Sequence, residues 1–128
     1  MRERIRLWLP AVIYMVLIFA LSAQSNPMPA LTEHVWDKLL HATEYAVLGF
    51  LLARALVGEG LSWMLALFVA VMLACGYAFT DEYHQGFVPN RTSDVHDWMA
   101  DTLGSAVGAL GLLKISEGRL KSGNTPRS

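Results

Sequence analysis

Charged residues are scarce in this chain of 128 residues. They make up 16% of it, while 54% of the residues are hydrophobic and the mean hydropathy is +0.37. A soluble domain has about 25% charged and about 45–50% apolar residues. Cysteine is scarcer still: Cys75 has no second cysteine with which to form an internal disulfide. The shortage of charge argues against an ordinary soluble domain and favours a small integral membrane protein.

Several functional motifs are also absent. No cluster of basic residues is interleaved with aromatic residues, so we predict no nucleic-acid partner. The chain lacks the GxSxG motif of serine hydrolases, a Walker-type glycine loop and the HExxH spacing of zinc peptidases. We therefore predict no cofactor and no metal. A divalent metal ion at the chain's His, Asp and Glu residues is a minor alternative, since a zinc site needs three or four convergent ligands.

Four apolar runs are present, and they predict an all-α integral membrane protein with a four-helix transmembrane bundle. The predicted spans cover about residues 7–23, 39–57, 61–79 and 98–115. Together they form one membrane domain, residues 1–115, followed by a flexible tail, residues 116–128. For the first run a cleaved signal peptide is the alternative, because Ala20-Leu21-Ser22 resembles a small-x-small cleavage site. The length of the run favours a retained anchor.

The distribution of Lys and Arg predicts the orientation of the bundle. Four spans place both termini on one side, and eight of the ten Lys and Arg residues fall on that side. The positive-inside rule therefore predicts that both termini are cytoplasmic. Only Lys38 and Arg91 fall on the outer side. The eight residues on the inner side are Arg2, Arg4, Arg6, Arg54, Lys114, Arg119, Lys121 and Arg127.

Polar residues are concentrated between the third and fourth runs, in Thr80–Asp97, and on one face of each of three predicted helices. Carboxylates at membrane depth should face protein or water, so we expect these faces to meet in one outward-facing site. Gly104-x-x-x-Gly108 should let helices pack closely on the side that carries Asp97 and Asp101. The other faces carry His41, Glu44 and Tyr45 in the second helix, and Asp81, His84 and Gln85 if the third helix continues past Phe79.

Each polar group also has a purely structural interpretation. In the structural interpretation, His41 and Glu44 form a hydrogen bond with each other and bind no ligand. Arg91, the one strong cation predicted to reach these acids, would brace the outer loop through Asp94 and Asp97, or it would clamp a phosphate oxygen. Glu82 and His84 are solvated loop residues in the structural interpretation and a general acid–base pair in the functional one. These alternatives are open at the level of sequence.

Two blocks resemble the VanZ-like family: Asp37-Lys38-x-x-His41-x-x-x-Tyr45 and the sequence DEYHQGFVPNR at residues 81–91. The resemblance covers residues 7–115 and implies a small bacterial membrane protein. The founding member of the family is associated with resistance to the glycopeptide teicoplanin. Position 101 is Asp here, where the family pattern often has Asn. The positions that match, and that we predict to bind a ligand, are His41, Glu44, Tyr45, Asp81, Glu82, Gln85, Arg91 and Asp97.

These observations lead to one main hypothesis and two alternatives. The main hypothesis is a multi-pass protein of the bacterial cytoplasmic membrane, monomeric or oligomeric, that binds an anionic lipid-linked or cell-wall component and influences glycopeptide susceptibility. The first alternative is a membrane-embedded hydrolase or transferase acting on a phospholipid or polyprenyl phosphate. The second is a proton-coupled carrier that uses Glu44 and Asp101 as relay groups. Catalytic residues of the enzyme would be His41, Glu82, His84 and Asp97.

Overall fold

The computed structural model describes residues 1–25 and 34–123, and within these ranges the chain is all-helical. Four helices follow one another without any strand in the described part: α1 (Arg2–Ser22), α2 (His34–Gly58), α3 (Trp63–Gln85) and α4 (Val95–Gly123). For the described residues, the prediction of an all-helical fold with four long helices is confirmed. Residues 26–33, between α1 and α2, lie outside the described residues.

The helices are longer than the apolar runs that predicted them. α1 begins at Arg2, before the predicted start at about residue 7, so Pro10 lies well inside the helix. α3 continues past Phe79 to Gln85, because its polar last turns share a buried face with the apolar turns before them. α4 continues past Ile115 to Gly123, into the segment predicted as a tail.

The closest packing in the bundle is between α2 and α4. A side chain at Gly104 would overlap the backbone of Ala42, and one at Gly108 would overlap the backbone of Ala46. Gly49 of α2 lies equally close to the backbone of Ser105. Small residues thus bring the two helix backbones together, as the Gly104-x-x-x-Gly108 spacing predicts. This approach sets Asp97 and Asp101 of α4 opposite His41 of α2.

α3 packs against α4 and α2 through a row of alanines. These alanines recur every fourth residue along one helix face and are fully buried. The same face continues into the buried side chains of Asp81, Glu82 and Gln85. The small side chains hold α3 close to its neighbours, so its last two turns lie inside the bundle. The alanines are Ala66, Ala70, Ala74 and Ala78.

α1 is the peripheral helix, packing on α2 and only slightly on α3. Its first turns are tied to the α2–α3 turn, where Trp8 Nε1 donates to Glu59 Oε1 over 3.1 Å and Arg4 Nε lies 3.2 Å from Glu59 Oε2. Further along, the Tyr77 hydroxyl donates to the backbone carbonyl of Met15. These contacts fix α1 as an outer wall next to the polar ends of α2 and α3.

Three helices, α1, α2 and α3, are long and apolar enough to cross a membrane. α4 is long enough but carries more polar residues. Asp97, Asp101 and Ser105 are buried, while Met99, Leu103, Val107 and Leu110 are exposed on the outer face of the same turns. The average hydropathy of α4 therefore understates how apolar its outer surface is.

Candidate functional site

The three predicted polar faces meet at one end of the bundle. α2 contributes His41, Glu44 and Tyr45, α3 contributes Asp81, Glu82 and Gln85, and α4 contributes Asp97 and Asp101. All of these except Glu44 are buried, and Glu44 is half-buried. Arg91, in the loop between α3 and α4, is half-buried beside them. His84 is the one predicted site residue that lies apart from this cluster.

His41 lies at the centre of the cluster and connects α2 to α4. Its Nδ1 lies 3.0 Å from Asp101 Oδ1, within hydrogen-bond distance. Its Nε2 is 3.9 Å from Asp97 Oδ2 and 4.0 Å from Asp37 Oδ1. The predicted local hydrogen bond between His41 and Glu44 is therefore wrong, because the close approach of α4 offers His41 a better-placed carboxylate. Glu44 instead lines a cavity.

Lys38 pairs with the outer carboxylates Asp94 and Asp97, a role that one of the two interpretations of the sequence gave to Arg91. Its Nζ lies 2.9 Å from Asp97 Oδ1 and 3.3 Å from Asp94 Oδ2. The predicted network of Arg91 with Asp94 and Asp97 is therefore wrong. Lys38 lies one turn from His41 on α2, so the tight packing of α2 on α4 brings it within reach of both carboxylates. In the sequence, the only signal for this role was the position of Lys38 on the same predicted helix face as His41.

Asp94 forms the N-terminal cap of α4. Its Oδ1 accepts a hydrogen bond from the backbone N–H of His96 over 2.8 Å and lies 2.9 Å from the His96 ring. These hydrogen bonds, together with Lys38, lower the pKa of Asp94 from its ordinary value of 3.8 to about 2. The backbone N–H of Asp94 in turn donates to Glu82 Oε2 over 3.0 Å. The loop is thus fastened to both helices that border the site.

Arg91 is the end of a hydrogen-bonded chain that runs into the bundle. Its Nη2 donates to Gln85 Oε1 over 3.1 Å, and Gln85 Nε2 donates to Asp81 Oδ2 over 3.3 Å. The Tyr45 hydroxyl reaches the same Asp81 oxygen at 3.5 Å. Arg91 Nη1 also faces the backbone carbonyl of Gln24 at 3.5 Å. The guanidinium is therefore oriented by neutral groups, and within residues 1–25 and 34–123 it forms no ion pair.

His84 faces α1 and not the polar cluster. Its ring stacks on Phe19 with a centroid distance of 4.5 Å. Residues two apart on a helix point in nearly opposite directions, so Glu82 faces α4 while His84 faces α1. The predicted Glu82–His84 acid–base pair is therefore wrong.

A cavity of about 180 Å³ opens beside this cluster. One side of it is apolar and includes Ile18 and Leu21 of α1, which were not among the predicted site residues. Their only sequence signal was membership of an apolar run. The other side is polar and includes Arg91. The remaining lining residues are Ser22, Asp37, Leu40, His41, Glu44, Asp81 and Gln85.

Two groups of side chains in the cluster have the spacing of metal ligands. His41, Glu82 and Asp101 are all buried, and one ligand atom from each lies within 4.8 Å of the other two. Asp37, His41 and Asp97 form the second group, with the same spacing but with Asp37 half-buried. The arrangement can therefore support either proton transfer by His41 or ligation of a cation.

Comparison with known proteins gives a match to one family. The family model described as VanZ/LLP1 matches residues 4–116, which include the cavity, the polar cluster and nearly all of the four helices. Neither a curated protein nor a solved structure matches significantly. The family match covers most of the chain and agrees with the resemblance carried by the blocks around His41 and at residues 81–91. The chain belongs to the VanZ/LLP1 family.

Proposed function

We propose that this chain is a four-span protein of the bacterial cytoplasmic membrane, with both termini in the cytoplasm and the cavity facing outward. The apolar outer face of α4, with Leu103 and Val107 exposed, supports a fourth span. The excess of Lys and Arg at the two termini supports the orientation. In this orientation the cavity lies at the outer end of the bundle, where Arg91 is found.

The orientation predicts which engineered cysteines are accessible from outside the cell. In a Cys75→Ala background, Thr92→Cys should react with a membrane-impermeant maleimide in intact cells, because residue 92 lies in the α3–α4 loop. Glu117→Cys, near the end of α4, should react only after the membrane is permeabilised. Both positions are exposed, so accessibility to the reagent is matched. The reverse labelling pattern would overturn the proposed orientation.

The proposed ligand is an amphiphile with an anionic head group, such as a lipid-linked or other phosphate-bearing cell-wall component. The observation that carries this proposal is the state of Arg91. Its guanidinium lies at the cavity, is held by Gln85 at 3.1 Å and has no carboxylate partner among the described residues. A guanidinium in this state can donate two parallel hydrogen bonds to a phosphate.

The rest of the lining supports an amphiphile over a free anion. Ile18, Leu21 and Leu40 provide an apolar surface for the start of an acyl or polyprenyl chain. Asp37 and Glu44 provide acceptors for hydroxyl or amino groups on the same head group. A site that sequesters such a component at the outer leaflet would influence susceptibility to glycopeptides, which act on the cell wall.

Replacing Arg91 by Gln should weaken binding of a polyprenyl phosphate about tenfold or more. A hydrogen bond to a charged group contributes about 1.5–3 kcal/mol, and about 1.4 kcal/mol corresponds to a factor of ten. The measurement is the dissociation constant of polyprenyl phosphate for the purified protein in nanodiscs, compared with that of the uncharged polyprenol. R91Q should raise the dissociation constant of polyprenyl phosphate and leave that of polyprenol unchanged.

The matched control for R91Q is Arg54→Gln. Arg54 is exposed near the other end of α2 and carries the same charge. R54Q should leave the affinity for polyprenyl phosphate unchanged, and R91K should retain part of it. Equal affinities of wild type and R91Q would contradict the head-group proposal. In cells, glycopeptide susceptibility should change with R91Q and not with R54Q.

An enzyme acting on a phospholipid or polyprenyl phosphate is the second candidate, favoured by the hydrogen-bonded His41–Asp101 pair. Asp101 orients the imidazole at 3.0 Å, and His41 lines the cavity, so His41 is placed to act as a general base. Glu82 and Asp97 stay candidates in this mechanism, while His84 does not. Product formation by the purified wild type that is lost in His41→Asn would favour the enzyme.

A further inference from the structure

Among the described residues, three buried carboxylates, Asp81, Glu82 and Asp101, have an oxygen atom without a hydrogen-bond partner. Two of them, Glu82 and Asp101, have metal-ligand spacing with His41. Asp101 is 0% exposed and Glu82 is 4% exposed. Asp101 Oδ1 faces His41, but Asp101 Oδ2 has no partner, and Glu82 Oε1 has none although its other oxygen accepts from the Asp94 backbone. A buried polar atom without a partner costs about 1–3 kcal/mol, and more if it is charged. These two oxygens therefore call for a ligand.

The charges around Glu82 and Asp101 point to a cation. Lys38 is already shared between Asp94 and Asp97, with its Nζ 2.9 Å from Asp97. Arg91 is turned toward Gln85 and the cavity. Within the described part of the chain, this leaves His41 as the one titratable base beside two buried carboxylates. A divalent cation would neutralise both carboxylates at once.

We propose that His41, Glu82 and Asp101 bind one divalent cation, with Zn²⁺ as the preferred ion. Their ligand atoms lie within 4.8 Å of one another, so contraction around an ion at about 2.0–2.2 Å needs only side-chain adjustment. Imidazole favours Zn²⁺ over Mg²⁺ and Ca²⁺, which prefer oxygen ligands alone. Three protein ligands leave a fourth tetrahedral position for water or for a group of the bound ligand.

The second group with metal-ligand spacing, Asp37, His41 and Asp97, is the weaker site. Asp97 is already paired with Lys38, and Asp37 is half-buried. Neither Asp37 nor Asp97 has a buried oxygen without a partner. The cation therefore belongs with Glu82 and Asp101. This inference does not rest on the head-group proposal, because Arg91 is not one of the three ligands and only His41 among them lines the cavity.

The test is direct binding of Zn²⁺ to the full-length protein, purified in detergent without a polyhistidine tag and stripped with EDTA. Equilibrium dialysis followed by elemental analysis should find one Zn²⁺ per chain. Glu82→Gln and Asp101→Asn should each weaken Zn²⁺ binding about 100-fold. This follows because loss of an outer-shell partner alone costs about 10–100-fold. Mg²⁺ should bind much more weakly than Zn²⁺.

Two matched controls carry equally conservative changes. Asp94→Asn removes a carboxylate next to the cluster, and Glu44→Gln removes one from the cavity. Both should bind Zn²⁺ like the wild type, as should R91Q. Arg91 is part of the head-group proposal only, so failure of one proposal leaves the other testable. Circular dichroism and gel filtration establish that each variant is folded, and Glu82→Asp replaces E82Q if that variant is not.

The result that overturns the proposal is specific. Wild-type protein that takes up no Zn²⁺ overturns it without reference to any variant. Zn²⁺ bound equally by wild type, E82Q and D101N would place the ion elsewhere and overturn it as well. Substitution by Co²⁺ adds an independent measurement: the absorption spectrum should show nitrogen and oxygen ligands without the charge-transfer band of a thiolate, because Cys75 is not part of the site.

Discussion

Gly104→Ala and Gly108→Ala should each destabilise the protein by about 3 kcal/mol, the upper end of the range for overpacked cores. The added methyl group would overlap the backbone of Ala42 or Ala46, and a backbone cannot yield by changing a rotamer. The helices α2 and α4 would have to separate. The expected measurement is the free energy of unfolding in mixed detergent micelles, followed by circular dichroism.

The control is on the same helix. A side chain at Gly111 would meet nothing within 4 Å. Gly111→Ala should therefore be neutral or stabilise the protein by up to about 1 kcal/mol, since Ala has the higher helix propensity. If Gly104→Ala and Gly111→Ala had the same stability, the close α2–α4 contact would be refuted. Separation of the helices should also weaken ligand binding at His41, which contacts α4 directly.

The helices and the location of the site follow from patterns that act locally along the chain. Apolar runs and the 3.6-residue period place His41, Glu44 and Tyr45 on one face of α2, and the Gly104-x-x-x-Gly108 spacing identifies the packed face of α4. Burial of carboxylates at depth is costly wherever they occur, so their convergence is predictable without knowing the packing. For these reasons, the sequence alone is sufficient to predict that most residues of the cluster lie together.

The pairing within the site could not be predicted in the same way. His41 is hydrogen-bonded to Asp101 rather than to the nearby Glu44, and Asp97 is paired with Lys38 rather than with Arg91. Both outcomes depend on how closely α2 approaches α4, a distance that periodicity does not give. The apolar wall formed by α1 was missed for a related reason: its residues carry no polar signal and are identified only by their neighbours.

These pairings explain why Arg91 has no carboxylate partner among the described residues. Because Lys38 neutralises the carboxylates at the start of α4, Arg91 is not needed as their partner. Gln85 then orients the guanidinium without neutralising it. Because Lys38 is paired with Asp94 and Asp97 and Arg91 with Gln85, Glu82 and Asp101 have no Lys or Arg partner in the described ranges. A charged head group at Arg91 and a cation at His41 would thus complete two halves of one site.

Asp101→Ala should destabilise the protein by about 3–5 kcal/mol, the cost of removing one partner of a buried charged pair. The carboxylate is fully buried, and its loss would leave the His41 Nδ1 without its hydrogen bond at 3.0 Å. Asp101→Asn should cost less than Asp101→Ala, because its amide oxygen still accepts from the imidazole and no cavity is left, although the negative charge is lost. Asp94→Ala removes the N-terminal cap of α4 and a half-exposed ion pair, so it should cost less than Asp101→Ala but more than nothing. A double-mutant cycle with His41→Ala measures the pair itself by unfolding in micelles. Coupling near zero would mean that the loss in Asp101→Ala comes from the cavity left behind and not from the hydrogen bond to His41.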